Sequence, residues 1–179
     1  CIDHLERARA EKEVITLIYH GNVVDLLEYF VENNINIELG SDQTSLHNID
    51  DMGYTPVGHT FEEAKNLMLS DRIGFKLAVQ QSLIRHVNAI NALTDKGMYF
   101  WDYGNAFLKE AGIAGAEVFA EGSDVKYRYP SYVEDIMGPL CFDYGFGPFR
   151  WVCTSGLQAD LDLTDKIAED VILELMLTA

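Results

Sequence analysis

A chain of 179 residues that is 48% hydrophobic and 11% aromatic has enough apolar material for one folded domain or parts of two, and it contains no low-complexity tract. Its 29 acidic against 13 basic residues give a net charge of −16, which leaves no cationic surplus for nucleic-acid phosphates or an anionic membrane surface. No apolar run reaches the roughly 18 residues that span a bilayer.

Three cysteines, Cys1, Cys141 and Cys153, form neither a CxxC pair nor a Cys/His cluster, so the chain reads as cytoplasmic, with no disulfide scaffold and no metal site. The opening "CIDHLERARAEKEV" reads as the interior of a helix, without Met or a signal-peptide apolar region, as expected of a segment from a longer protein. "VITLIYH" (14–20) is apolar and β-branched, which predicts a strand buried on both faces, broken by Gly21 and Asn22. The spacing of "VVDLLEYFVENN" (23–34) predicts a helix that stops at Asn33 and Asn34, and "INIEL" (35–39) predicts a second strand. A strand–helix–strand unit of this length forms a right-handed crossover in a parallel sheet, and such sheets bind ligands beyond the carboxyl ends of their strands.

The loops at those ends are "HGN" (20–22) and "GSDQTSLHN" (40–48). The second gathers Asp42, Gln43, Thr44, Ser45 and His47. Its residue types suit two readings equally, a solvated turn that caps the next helix and a loop that holds a ligand. "DDMGYTPVGHT" (50–60) is rich in turn residues and marks a candidate domain boundary. Thr60 followed by "FEEAKNLML", with Glu63 three residues on, predicts a helix opened by a capping box. A longer helix is predicted over 75–96, ending at Gly97, and His86 on it reads as a packed or surface histidine rather than a ligand. The last segment, "DLDLTDKIAEDVILELMLT", predicts an acidic amphipathic helix.

Three stretches concentrate rings, glycines and polar groups: "GMYFWDYGNAF" (97–107), "YRYPSYVEDIMGP" (127–139) and "CFDYGFGPFRWVCTSG" (141–156). Polar groups among rings, with glycines that let a backbone approach closely, suit the wall of a ligand pocket. Arg150, the one cation of the third stretch, has two readings. It is either a guanidinium forked onto a carboxylate such as Asp143, or a clamp for the carboxylate or phosphate of a ligand. No histidine lies beside Cys141 or Cys153 to activate a thiolate, and neither G-x-G-x-x-G nor G-x-S-x-G occurs. By themselves the residues define an α/β protein with a polar ligand site.

The strings "SDQTSLHN", "GMYFWDYGNAFLKEAG", "YRYPSYVEDIMGP" and "CFDYGFGPFRWVCTSG", in this order, resemble the middle of the chain in the urocanate hydratase (urocanase) family. The resemblance covers nearly the whole sequence. It implies the closing part of a Rossmann-like NAD-binding domain over residues 1–55, followed by part of a mixed α/β core domain over 56–179. It implies an enzyme of histidine degradation that adds water to urocanate to give 4-imidazolone-5-propionate, with tightly bound NAD+ as electrophile and no net redox change. A homodimer is implied as well. Carried over by motif, the NAD contacts fall on Asn22, Val23, Gln43, Thr44, Ser45, Leu46, His47, Tyr54, Thr55 and Tyr103. Val23 stands where the family often has Ala, and Thr55 where it usually has an apolar or aromatic residue. Arg150 is then the candidate partner of the urocanate carboxylate, with Arg128 second. The family's active-site cysteine lies in a "FQGLPxRICW"-like signature that does not occur here. No catalytic residue is therefore expected in this segment, which alone is expected to be inactive. Two other readings are a dehydrogenase that releases NAD at each turnover, and a non-catalytic homologue or fragment that binds NAD or a partner.

Overall fold

The structure is a computed structural model and describes residues 2–42, 46, 48–50, 52–104, 106–145 and 153–178. It divides into two compact units, Cys1–Leu140 and Cys141–Ala179.

The first unit is built around one long helix. In chain order it holds α1 (Ile2–Glu11), α2 (Val23–Glu32), β1 (Leu39–Asp42), α3 (Phe61–Ser70), α4 (Arg72–Asp95), β2 (Tyr99–Asp102), α5 (Ala106–Ala114), a π-helical turn (Tyr132–Met137) and the short α6 (Gly138–Leu140). Helix α4 is central because apolar residues recur along it at helical spacing: Phe75, Val79, Leu83, Val87, Ile90 and Leu93 are all buried. Helices α2, α3 and α5 and strand β2 pack against it. Its ends follow local rules. The Asp71 side chain accepts the Gly74 N–H at the start, and Gly97 past the end takes φ 111°, a left-handed conformation that glycine adopts without penalty.

Helix α3 opens as its sequence requires. The Thr60 hydroxyl accepts the Glu63 N–H, and the Glu63 carboxylate accepts the Thr60 N–H at 2.8 Å. Helix α2 likewise starts on its cap, Asn22, and stops at Asn33. An Arg85–Glu28 fork of 2.8 and 2.6 Å ties α2 to α4.

The strands depart from expectation. Residues 14–20 are irregular and largely exposed, with Val14 at 100% and Ile18 at 88%. A strand buried on both faces needs neighbours on its edges and cover on its faces. The only sheet among the described residues has two strands and offers 14–20 neither. The second strand begins at Leu39, near the end of the predicted "INIEL" strand, because its partner β2 starts opposite it: Leu39 pairs with Tyr99 and Asp42 with Asp102, in parallel. The parallel pair is therefore β1–β2, joined through α3 and α4, and not the predicted pair of 14–20 with 35–39. The fold class remains α/β.

The boundary expected near residue 55 falls inside the first unit. The turn-rich 50–60 segment is a connection whose Tyr54 is buried in the same core as Val24, Phe75 and Phe107. The break between compact units comes after Leu140.

The second unit contains a 3-10 turn (Phe142–Tyr144) closed by Gly145 at φ 80°, and helix α7 (Gln158–Thr178). Lys166 bridges Glu169 and Asp170 along α7 at 3.1 and 2.8 Å. Among the described residues no helix is long and apolar enough to cross a membrane.

Candidate ligand site at the strand ends

The site begins at Asn22, which has two tasks. Its side-chain oxygen accepts the Val24 N–H at 3.0 Å and so caps α2, while its side-chain amide donates to the Thr55 carbonyl at 2.9 Å. The amino end of α2 and the 52–55 turn are thereby held together. Between them lies a hollow of about 400 Å³, lined by Gly21, Asn22, Val23, Met52, Gly53, Tyr54 and Thr55. Four of the ten residues assigned by motif to the cofactor, Asn22, Val23, Tyr54 and Thr55, thus meet around one space.

A second hollow, of about 450 Å³, shares Val23 and continues along β1 past Gly40, Ser41 and Asp42 to His86 on α4. Most of its remaining wall is apolar, including Leu27, Ile90 and Phe100. The two strands end level here: the Tyr103 N–H donates to the Asp42 carbonyl at 3.2 Å. Asp42 and Asp102 are both buried, and the Asp102 N–H donates to the Pro130 carbonyl at 2.9 Å. The Tyr103 ring stacks on Tyr132, with centroids 5.2 Å apart and planes 12° from parallel. This fixes the phenol at the carboxyl edge of the sheet, where Asp42 immediately precedes Gln43 in sequence.

Tyr54 links the hollows to the core. Its hydroxyl lies 3.2 Å from Nδ1 of the buried His86, whose ring centroid is 4.5 Å from that of Phe107. Burial lowers the His86 pKa to about 4, so the imidazole is neutral at ordinary pH. Burial, with the Asp42 charge nearby, raises the Tyr54 pKa, so the phenol keeps its proton. The pair is a neutral hydrogen bond under working conditions.

The other assigned residues stand elsewhere. Leu46 is 1% exposed and its side chain belongs to the core, which leaves only its main chain available to a ligand. Gln43, Thr44, Ser45, His47 and Arg150 lie outside the described residues. Arg128 is ion-paired with Asp95 at the end of α4 and lies against the Tyr129 ring, 5.6 Å from its centroid. Because Ser131 bridges Asp102 in parallel, Arg128 lies toward the amino end of β2, away from Tyr103. In the second unit, Cys153 has a thiol pKa lowered chiefly by its contact with the Ser155 hydroxyl.

Sequence reading passed over the partner of Tyr54. His86 is one of three buried polar residues on α4, with Ser82 and Asn91. Ser82 accepts the Val57 N–H at 2.9 Å, and the Asn91 amide donates to the Glu117 carbonyl at 3.1 Å. Polar residues in a buried helix stripe signal loops fastened to that helix, a signal that does not identify which loop.

The amino end of α2, the 52–55 turn and the strand ends thus border two hollows that share Val23, in a parallel α/β unit of the class that takes ligands beyond the carboxyl ends of its strands. Comparison with known proteins makes this particular. Residues 1–136 match the urocanase Rossmann-like domain and residues 139–178 the urocanase C-terminal domain, and the chain belongs to the urocanase family. It is 53% identical over 178 residues to the urocanate hydratase of Mus musculus, covering 96% of this chain and 26% of that protein. It is 54% identical over 167 residues to a probable urocanate hydratase of Dictyostelium discoideum, covering 92% of this chain and 25% of that protein. With the urocanate hydratase of Homo sapiens it shares 52% identity over 180 residues, covering 97% and 26%. The chain therefore spans about a quarter of the length of the curated relatives it matches.

Proposed function

We propose that this chain is part of a urocanate hydratase, a hydro-lyase that adds water to urocanate to give 4-imidazolone-5-propionate, and that its first unit holds part of a bound NAD+. The observation that carries this reading is the meeting of Asn22, Val23, Tyr54 and Thr55 around one hollow at the amino end of α2. The donor set suits the group. A helix amino terminus and main-chain N–H groups attract phosphate oxygens, and among the described residues no carboxylate lines this hollow. Its volume suits one portion of a dinucleotide. Gln43, Thr44, Ser45, Leu46, His47 and Tyr103 are the proposed contacts for the rest.

When bound, the oxidised nicotinamide supplies an electron-poor ring that acts as an electrophile toward the substrate. The contribution of this chain is to hold and orient. Asn22 fixes the hollow's two walls, and the Tyr103–Tyr132 stack fixes a flat aromatic face at the strand ends. Arg150 is the proposed partner of the urocanate carboxylate. Arg128 is second, since Asp95 already answers its charge. A homodimer is proposed for the whole enzyme, tested by its mass in solution.

The test uses an enzyme of the relatives' full length that carries this sequence. Urocanate's ultraviolet absorbance should disappear with no NADH absorbance appearing. Appearance of NADH with substrate would make the protein a dehydrogenase. NAD retained without loss of urocanate would make it a binding protein.

A further inference from the structure

We propose that His86 is a positioning residue for the cofactor corner, its ring holding the Tyr54 hydroxyl and thereby the 52–55 turn against Asn22. The inference rests on the NAD reading given above and adds to it a residue in the core of the domain.

His86 occupies a costly position. It sits among Val79, Leu83, Val87 and Ile90 on the buried side of α4 and is itself 3% exposed. A polar ring there loses its water and regains that loss only through a partner inside the protein. The partner it has is the Tyr54 hydroxyl at 3.2 Å. Phe107 packs against the ring with centroids 4.5 Å apart, and the orientation the imidazole takes there brings Nδ1 to the Tyr54 hydroxyl.

The contact has somewhere to lead. Thr55, the residue after Tyr54, gives its carbonyl to the Asn22 amide, and the other end of that side chain caps α2. An unbroken run of contacts thus passes from α4 through His86, Tyr54, Thr55 and Asn22 to the first turn of α2. One turn earlier on α4, Ser82 holds the Val57 N–H, so the 54–57 segment is fastened to the same helix at two successive turns. The turn needs such support. Met52 takes φ 56°, a left-handed conformation that non-glycine residues adopt at a cost and keep where their surroundings impose it. A neutral imidazole, as burial dictates here, is the form that makes a simple hydrogen bond with a protonated phenol.

The experiment follows NAD release from the full-length protein, by chase with excess unlabelled nucleotide, alongside thermal unfolding. Loss of one such hydrogen bond should raise the NAD dissociation rate about tenfold. His86→Leu and Tyr54→Phe should each do so. The double variant should be no worse than either single one, because both remove the same contact. His86→Asn, whose side-chain amide lies near the position of Nδ1, should recover most of the retention. Wild-type release rates in His86→Leu, with or without a lower melting temperature, would overturn the proposal and give His86 a packing role only. Additive effects in the double variant would also overturn it. Should His86→Leu fail to fold, Tyr54→Phe with wild-type release is sufficient to reject it. A wild-type protein that holds no NAD rejects the functional reading itself, an outcome distinct from a wild type that holds NAD and variants that release it no faster.

Discussion

Asn22 and Thr55, 33 residues apart in sequence, are joined by a 2.9 Å hydrogen bond from a side-chain amide to a main-chain carbonyl. The same side chain caps helix α2 through its oxygen. One residue therefore performs two separable tasks, local and long-range. Substitution can divide them.

Asn22→Ser keeps a hydroxyl that can accept the Val24 N–H, but is too short to reach Thr55. Serine and asparagine are comparable caps, so stability should change little. Asn22→Ala removes the cap as well and should cost about 1 kcal/mol. Urea unfolding should rank Asn22→Ser near the wild type and Asn22→Ala below it, while both release NAD faster. An Asn22→Ser protein that retains NAD like the wild type would show that the Thr55 contact does not shape the hollow.

Ser82 is the second fastening of the same loop. Its hydroxyl accepts the Val57 N–H at 2.9 Å and donates to the Ala78 carbonyl at 2.7 Å, within a 3% exposed residue. Ser82→Ala leaves the Val57 N–H without that acceptor, which should cost ~1–3 kcal/mol. The midpoint of urea unfolding should fall at unchanged slope, since the surface exposed on unfolding stays the same. An unchanged midpoint would mean that water replaces the hydroxyl.

Acid should weaken the fold through His86 before it does so through the carboxylates. Burial lowers the folded pKa of His86 from 6.5 to about 4. Between those values the unfolded chain takes up a proton that the folded chain refuses. Stability therefore falls as pH drops through this window, by about 3 kcal/mol in all, and is fully present above it. Of the titratable groups facing the ring, Tyr54 from the 52–55 turn meets it directly, and Asp42 at the end of β1 lines the same hollow. Glu28, whose pKa is lowered chiefly by its hydrogen bond with Arg85, adds a loss that sets in as pH falls into the ordinary carboxylate range and is complete only below its lowered folded pKa. In His86→Asn, unfolding free energy measured from pH 7 to pH 4.5 should be nearly flat where the wild type slopes. A slope retained in His86→Asn would place its origin in other groups.

What the sequence made legible follows the range of the interactions. The Thr60–Glu63 capping box spans three residues and is readable as a string, and so are α2, α4 and their stops at Asn33 and Gly97. Strand pairing is non-local. "VITLIYH" has the composition of a buried strand, yet a strand exists only with a neighbour, and among the described residues 14–20 pairs with none. Strand β2 was hidden for the opposite reason: only four residues long and dense in rings between two glycines, it reads as a pocket wall. Motif resemblance assigned Asn22 and Thr55 to one cofactor, but neither the hydrogen bond between them nor the pairing of Tyr54 with His86 is legible in the string, since nothing in a cap or a helix stripe identifies a partner more than 30 residues away.

The substrate arginine is the remaining choice, and the two candidates differ in what they already hold. Arg128 is ion-paired with Asp95, and both side chains are partly open to solvent, at 34% and 67%. Such pairs contribute little to stability, so Arg128→Ala should leave both urocanate affinity and the melting temperature close to the wild type. Arg150 is the proposed clamp. Its planar fork can meet both oxygens of a carboxylate, which a lysine ammonium cannot do. Arg150→Ala in the full-length enzyme should weaken urocanate binding by ~2–4 kcal/mol, the cost of leaving a buried carboxylate unpaired. Arg150→Lys should lose nearly as much. Equilibrium dialysis with urocanate measures this apart from turnover. If Arg150→Ala binds urocanate like the wild type while Arg128→Ala does not, the carboxylate lies at the amino end of β2, and the assignment passes to Arg128.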